Sequence, residues 1–165
     1  MSSSDDPTRA AANDLAQFDD TVTFQILVAA SKQSLGIVSG RDFYGIGHAL
    51  ALVDDNDADA NQLWYFETAT QRIRSRASGE VLAWCSHSDT NQVGACDPNS
   101  SPGFTSPTNQ WLLTQGRLFL QVTFHTPDLE GDVVLTGSDI TIKLPSDSDE
   151  TQVWNVEPID DSKAA

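Results

Sequence analysis

The densest group of candidate metal ligands is the acidic stretch DDNDADAN at residues 54–61. Asp55, Asp57 and Asp59 alternate along it as the first ligands of a calcium-binding loop do, and calcium prefers carboxylate oxygens. Such a loop also needs a glycine after the third aspartate and a glutamate at its end. This chain has Ala60 and Phe66 at those places. We therefore expect no calcium site and no other metal.

The side chains that serve most often as catalytic bases give no recognisable constellation. His48, His87 and His125 are far apart in the sequence. Neither the H-E-x-x-H pattern of zinc proteases nor the G-x-S-x-G pattern of serine hydrolases occurs. Because no nucleophile is paired with a base, we expect a protein that is not an enzyme and that uses no cofactor.

Two cysteines, Cys85 and Cys96, enclose a turn-like cluster at residues 89–92. There is no C-x-x-C and no zinc-binding spacing. If a hairpin turns at this cluster, the two cysteines lie opposite each other and could form a disulfide. Two free thiols in a reducing compartment are the alternative.

The chain is strongly acidic, with 9 Lys and Arg against 24 Asp and Glu and a net charge of −15. Such a surface repels phosphate backbones and anionic membranes, so we expect no nucleic-acid partner. No apolar run approaches the roughly 20 residues that span a bilayer, so we expect no membrane insertion. The N-terminal segment 1–20 does not have the pattern of a secretory signal. These features predict a cytoplasmic or non-classically secreted protein.

A glutamine and a tryptophan recur together at three places. The phrases are NQLW at 61–64, NQW at 109–111 and TQVW at 151–154. Their glutamines, Gln62, Gln110 and Gln152, are almost evenly spaced along the chain. Such regular spacing indicates an internal repeat of about 45 residues.

A second landmark gives the same period. A short apolar stretch opens each interval, and its anchors Ile26, Ile73 and Leu118 are separated by nearly equal distances in the sequence. Because two independent landmarks agree, we assign three repeat units. The units are residues 21–67, 68–113 and 114–158.

Each unit has the pattern of short strands. Apolar and polar residues alternate in TVTFQI and RLFLQVTF, and Gly, Pro, Asn and Asp interrupt the chain at short intervals. Four strands fit in each unit, which makes twelve. Three units around a pseudo-threefold axis would close a small barrel capped by hairpins in one domain, 21–158. Residues 1–20 and 159–165 are expected to be mobile tails.

Units of about 45 residues that close on Gln-x-Trp resemble the ricin-type β-trefoil family, and the resemblance covers residues 21–158. It implies an all-β trefoil in which each tryptophan fills the core and each glutamine binds backbone of its own unit. In the middle unit Gln110 directly precedes Trp111, so the motif is one residue short there. The implied core residues are Trp64, Trp111 and Trp154.

Many members of that family bind galactose-like sugars, which the resemblance makes a candidate function. An Asp at the entry of the second strand accepts two hydroxyl protons, and an aromatic residue further along covers the sugar's C–H face. Counting ten residues from each anchor places the Asp position at Gly36, Ala83 and Asp128. Only the third unit therefore has the carboxylate. Asp128 could instead begin a turn, which is a common role for Asp.

The other elements of the family's site are also incomplete. The aromatic position falls near Val53, Cys96 and Lys143, so no unit carries the ring there. The Asn of the closing phrase is replaced by Thr151 in the third unit. The remaining polar candidates are Asn61, Gln62, Asn109, Gln110 and Gln152.

Aromatic residues in Gly-rich or polar loops offer a second kind of site, because a core does not need them there. Trp84 is the tryptophan outside the Gln-Trp phrases, and His87 and Asn91 follow it in a polar hairpin. We expect Trp84 to stack on a sugar, unless its ring is buried. Phe43 and Tyr44, in GRDFYGIG, and Phe104 are further candidates, although Phe43 or Tyr44 could pack back on the barrel.

The function that these patterns favour is binding of glycans or glycoproteins through degenerate galactose sites and remodelled loops. A trefoil protease inhibitor is the alternative, with Arg41 in SGRDFYG entering a trypsin-like pocket. A plain protein-interaction scaffold is a third possibility. The sequence names neither the sugar nor the protease.

Overall fold

The computed structural model describes residues 13–84, 91–98, 110–120 and 133–159. In these ranges the chain forms twelve strands, as predicted, and three short 3₁₀ helices, and no described helix is long and apolar enough to span a bilayer. The strands are β1 (Phe24–Val28), β2 (Ser34–Phe43), β3 (Gly47–Val53), β4 (Trp64–Glu67), β5 (Arg72–Ser75), β6 (Val81–Trp84), β7 (Val93–Cys96), β8 (Trp111–Thr114), β9 (Arg117–Leu120), β10 (Val133–Thr136), β11 (Thr141–Lys143) and β12 (Trp154–Pro158). The 3₁₀ helices are Asp14–Gln17, Ala60–Gln62 and Glu150–Gln152.

All pairs between these strands are antiparallel. Eight strands form one sheet in the order β12-β1-β2-β3-β7-β6-β5-β4, with a further pairing of β1 with β4 that closes unit one. The other four form the order β11-β10-β9-β8. Backbone bonds from Trp111 to Gln71 (3.0 Å) and from Trp154 to Gly116 (2.7 Å) close units two and three in the same way. Closure within each unit leaves few strand edges free in the described part of the chain.

Alternation along the strands directs one face of each toward a common core. In β4, Trp64 and Phe66 are buried while Tyr65 and Glu67 are half-buried. The paired strand β5 shows the same alternation, with Ile73 buried between half-buried arginines. Since side chains alternate with a period of two along a strand, the two strands present their apolar residues to the same interior.

The three tryptophans of the Gln-Trp phrases make the same contact in their units. Each is at most 2 % exposed. Each indole N–H donates to the carbonyl of a leucine on the second strand of its own unit, at 3.0 Å in every case. The predicted core role of these residues is therefore confirmed. The donor and acceptor pairs are Trp64 with Leu35, Trp111 with Leu82, and Trp154 with Leu135.

The glutamines bind backbone of their own units, as predicted. The amide nitrogen of Gln62 donates to Asp54 O (2.9 Å), and that of Gln152 donates to Leu144 O (3.1 Å). Both of these glutamines are buried. Gln110, which lies one residue closer to its tryptophan, donates to Thr70 O at 2.9 Å. The Gln-Trp phrases therefore have a structural role in each unit.

The predicted N-terminal boundary needs a correction, because residues 13–20 belong to the folded domain. The side chain of Asn13 donates to Trp111 O (3.0 Å) and accepts from Leu113 N (2.9 Å), so it pairs with β8 as a strand would. Leu15 is fully buried, and the ring of Phe18 lies 5.2 Å from that of Phe24. A segment held by these contacts is not a tail. At the other end, Ile159 N donates to Thr23 O at 3.0 Å.

Candidate functional site

The leucines that accept the tryptophan hydrogen bonds define equivalent positions in the three units. The residue after each leucine is Gly36, Ala83 or Thr136. In units one and two these residues, Gly36 and Ala83, are the ones predicted from the sequence to occupy the family's carboxylate position, and neither is acidic. At Gly36 an added Cβ would lie 3.2 Å from Val53 Cγ2 and 3.5 Å from Gln62 Cγ, so this place in unit one is closed by packing.

In the third unit the count from the anchor was wrong. Leu35 and Leu82 follow their anchors by the same interval, whereas the segment from Leu118 to Leu135 is much longer. The third unit therefore has an insertion between its first two strands. The equivalent position is Thr136, whose hydroxyl lies 3.4 Å from the amide nitrogen of Gln152. Asp128 lies outside the described residues, and it does not hold the position for which it was proposed.

The three positions predicted for the aromatic ring are equivalent by strand register. Val53, Cys96 and Lys143 each stand opposite the residue before the anchoring leucine. Lys143 is exposed and lies 3.2 Å from the Asp139 carboxylate. Partial burial raises the pKa of Asp139, but hydrogen bonds from Thr141 and Lys143 outweigh it, so the pKa is lowered overall. The Lys143 ammonium is thus engaged in an ion pair on the surface.

The polar residues of the closing phrases serve the fold where they are described. Gln152 Oε1 accepts from Ser146 N (2.7 Å) and Arg117 Nη1 (2.9 Å), in addition to the bonds made by its amide nitrogen. Asn61 is half-buried in a 3₁₀ helix that Asp59 caps. Asn109 lies outside the described residues. Gln152 is therefore not presented to solvent as a sugar-binding amide, and the role of Asn61 stays a prediction.

Trp84 is buried, which corrects its predicted role as a stacking surface. Its side chain is 4 % exposed, and all four residues of β6 are buried. Alternate residues of this strand face two apolar clusters: Leu82 and Trp84 lie in the main core, and Val81 and Ala83 lie under Phe43. A ring covered in this way offers no face to a sugar. The sequence pattern could not show that β6 has no solvent face.

The other candidates of the second unit lie at its hairpin. Asn91 is half-buried with φ 58°, and its carbonyl accepts from Ile142 N at 3.1 Å. His87 and Cys85 lie outside the described residues, as does Phe104. Cys96 is buried and stands opposite Val81, so the expectation that Cys96 faces Cys85 across the hairpin is wrong.

The acidic stretch at 54–59 is occupied by contacts within the protein. Asp55 accepts from the Gln25 amide at 2.8 Å, and Asp59 accepts from Asn61 N at 3.0 Å. In the ranges that the structure describes, no three His, Cys, Asp or Glu side chains are grouped so as to hold a metal ion. A polar depression of about 520 Å³ lies beside Gln25, Asp55 and Glu157, and no aromatic residue lines it.

A long hairpin in the first unit distinguishes it from the others. Leu35 is paired with Leu52, and the segment 36–51 lies between them. The equivalent pairs enclose only 83–94 in unit two and 136–141 in unit three. Pairing in unit one is interrupted between Ile37 and Asp42, and the chain is exposed at 39–41 within this interruption. We call residues 36–51 the long cap hairpin.

The tip of the long cap hairpin presents an aromatic ring to solvent. Tyr44 is 48 % exposed and adopts a left-handed backbone conformation, with φ 51°. Its hydroxyl donates to Gln92 Oε1 at 3.0 Å, and its ring meets Phe43 edge-on at 4.9 Å. Phe43 is buried against Gly94, where an added Cβ would lie 2.5 Å from the Phe43 ring. Phe43 thus anchors the tip and holds Tyr44 outward.

A depression of about 400 Å³ lies at the base of this tip, between units one and two. His48 Nδ1 is 2.9 Å from a Glu80 carboxylate oxygen, and Asp42 accepts from Gly45 N at 2.8 Å. The two units approach closely here, since a Cβ added at Gly47 would overlap the carbonyl oxygen of Ala95. The charged or titratable residues lining the depression are Asp42, His48, Glu80 and Asp97.

Comparison by sequence finds no protein-family model and no curated protein that matches this chain. Solved structures do match. A β-trefoil lectin of the Vibrio vulnificus hemolysin/cytolysin, with N-acetyl-D-lactosamine bound, has a TM-score of 0.60 and 16 % identity over 83 % of this chain and 94 % of that one. The C-terminal half of an earthworm R-type lectin, in complex with GalNAc, has a TM-score of 0.57 and 18 % identity over 84 % and 99 %. A designed threefold-symmetric protein, ThreeFoil, has a TM-score of 0.57 and 16 % identity over 83 % and 99 %. The chain therefore has the β-trefoil fold.

Proposed function

We propose that this β-trefoil protein binds glycans or glycoproteins, without catalysis, through the long cap hairpin of its first unit. Support for carbohydrate as the ligand comes from the similar structures described above that hold N-acetyl-D-lactosamine or GalNAc. Three units of about 45 residues would surround a pseudo-threefold axis. Their galactose sites are degenerate, because Gly36, Ala83 and Thr136 carry no carboxylate.

The observation that carries the proposal is the exposure of Tyr44. In the described ranges Tyr44 and Leu144 are the large hydrophobic residues that are exposed, and of these Tyr44 is aromatic. An aromatic ring covers the apolar C–H face of a sugar, a contact that water does not replace.

Polar groups around Tyr44 supply hydrogen bonds of the kind that fix a sugar. Asp42 precedes Tyr44 by two positions and lines the depression. Gln92 accepts a hydrogen bond from the Tyr44 hydroxyl, and Asn91 directly precedes Gln92 in the sequence. A ligand on the ring would thus lie near the amide of Gln92 in unit two and the carboxylate of Asp42 in unit one. His87, outside the described residues, stays a candidate from the sequence alone, whereas Trp84 is buried and is not part of the proposed site.

A glycan array followed by titration tests the proposal. Tyr44→Ala should weaken binding about tenfold or more, which corresponds to a loss of about 1.4 kcal/mol. Leu144→Ala is the matched control, since it truncates an apolar side chain of similar exposure in another unit and should leave binding unchanged. Absence of binding to every glycan, or equal binding by Tyr44→Ala and the unmodified protein, would refute the proposal.

The protease-inhibitor alternative rests on Arg41 alone. The residue is exposed at the interruption in the long cap hairpin, as a protease anchor would have to be. The neighbours described above are sugar-bound lectins and a designed trefoil, and they give this alternative no support. We therefore do not adopt it.

A further inference from the structure

We infer that the site at Tyr44 selects uncharged sugars and discriminates against glycans that carry a carboxylate or a sulfate. The inference rests on the proposed function, and it adds the charge class of the ligand. It follows from the position of the ring at the hairpin tip: Asp42 and Gly45, on either side of Phe43 and Tyr44, line the depression, so a glycan that extends from the ring across the base of the tip meets it.

The side chains around that depression are mostly anionic. Asp42 lies on the hairpin, Glu80 precedes β6, and Asp97 follows β7, so carboxylates come from three segments. The titratable nitrogen there, on His48, already contacts the Glu80 carboxylate at 2.9 Å. A ligand anion would therefore meet net negative charge.

Arg41, the cationic residue of the long cap hairpin, is exposed and does not line the depression. The described arginines with ion pairs, Arg74 and Arg117, are bound to Glu67 and Asp147. The whole chain carries a net charge of −15, so its long-range field also repels anions. Neutral hydroxyls avoid this repulsion and can donate to the same carboxylates.

The dependence on salt concentration distinguishes charge repulsion from a steric clash. Charges on the surface interact over about 10 Å at 0.1 M ionic strength and over about 3 Å at 1 M. Discrimination that comes from repulsion must shrink as salt is added. Discrimination that comes from a steric clash must stay the same.

A matched pair of probes tests the inference: N-acetyllactosamine and the same disaccharide with a terminal sialic acid, titrated at low and high salt. We expect the sialylated form to bind at least about fivefold more weakly at low salt, and the gap to narrow at about 1 M NaCl as screening requires. Asp97→Asn should also narrow the gap. Asp147→Asn, which removes the same charge from a fully exposed residue in another unit, should leave it unchanged.

The outcomes are distinct. If the neutral disaccharide and the rest of a glycan array fail to bind, the proposed function itself is lost. If the neutral form binds through Tyr44 while the sialylated form binds equally well, the inference fails and the proposed function stands. If Asp97→Asn and Asp147→Asn change the gap equally, total charge and not the depression is responsible, and the local inference is refuted.

Discussion

The hairpins of the first and third units hold the same place on the barrel and differ in almost everything else. Between the paired residues that flank them, the first encloses the segment 36–51 and the third encloses only 136–141. Below them the contacts are alike, since the tryptophan of each unit donates to its leucine carbonyl at 3.0 Å. Packing therefore fixes the barrel, whereas the caps can vary in length and can carry function.

Both hairpins contain a residue with a left-handed backbone conformation, but one of the two side chains is buried and the other is exposed. Ile140, with φ 53°, ends the short third hairpin and is 9 % exposed in the main core. Tyr44, with φ 51°, stands at the tip of the long one and is 48 % exposed. Burial of Ile140 compensates for the strain of its backbone. Tyr44 has less burial in return; Lys32, Gln71 and Gln115 are also exposed at positive φ, so it is the exposed aromatic ring of Tyr44 that we connect with a ligand.

The largest effects are expected in the part that the units share. Trp64→Ala, Trp111→Ala and Trp154→Ala should each lower the free energy of unfolding by about 3–5 kcal/mol, because each truncates a buried ring that is also hydrogen-bonded. Urea unfolding measures the effect. If one of the three cost less than about 1 kcal/mol, the units would not be equivalent below the caps.

A smaller loss is expected where the N-terminal segment joins the barrel. Asn13→Ala should lower the free energy of unfolding by about 1–3 kcal/mol, because it leaves Trp111 O and Leu113 N without the Asn13 side chain that pairs with them. Gln17→Ala is the control, since its amide makes an exposed bond to Asp14 O. Equal melting temperatures for the two variants would show that the hydrogen bonds of Asn13 to β8 do not stabilise the barrel.

At the tip of the long cap hairpin the backbone itself can be tested. Tyr44→Gly should be more stable than Tyr44→Ala by about 1 kcal/mol, because glycine adopts positive φ without the steric cost that alanine has. Both variants lack the ring, so the difference isolates the backbone. Thermal unfolding measures it. A glycine variant no more stable than the alanine variant would remove the strain on which the contrast with Ile140 depends.

The last substitution, at Arg41, is expected to have no effect on protease inhibition. Arg41 lies on the same hairpin, but we expect the protein not to inhibit a trypsin-like protease, and Arg41→Ala to change nothing in that assay. Tight inhibition that disappears in Arg41→Ala would instead make this hairpin a protease-binding loop.

The fold could be predicted because its landmarks are repeated. Gln62 and Gln152 make the same backbone bonds in their units, so their spacing encodes the architecture. The carboxylate position could be located by counting from the apolar anchor only in units one and two, where the interval between the first two strands is the same. In unit three the insertion before β10 lengthens this interval, so the count ended at Asp128 instead of Thr136.

Burial was harder to predict than position. Trp84 lies in a strand that is covered on both faces, and this depends on Phe43 from a neighbouring unit. The exposure of Tyr44 depends on the length of its hairpin and on the contact with Gln92, which is distant in the sequence. Such contacts join separate parts of the chain, and no local pattern reports them.

The unequal hairpins have a thermodynamic consequence. Closing a flexible loop costs entropy that grows only with the logarithm of its length, so lengthening an enclosed segment by a factor of roughly 2.7, as from the third hairpin to the first, costs about 0.9 kcal/mol. A cost of this size is well below the loss expected for a single core tryptophan. Equivalent residue pairs, Leu35 with Leu52 and Leu135 with Ile142, therefore close segments of very different length. In practical terms the barrel is a scaffold on which new loops can be grafted, with the position of the first-unit hairpin as the natural insertion point.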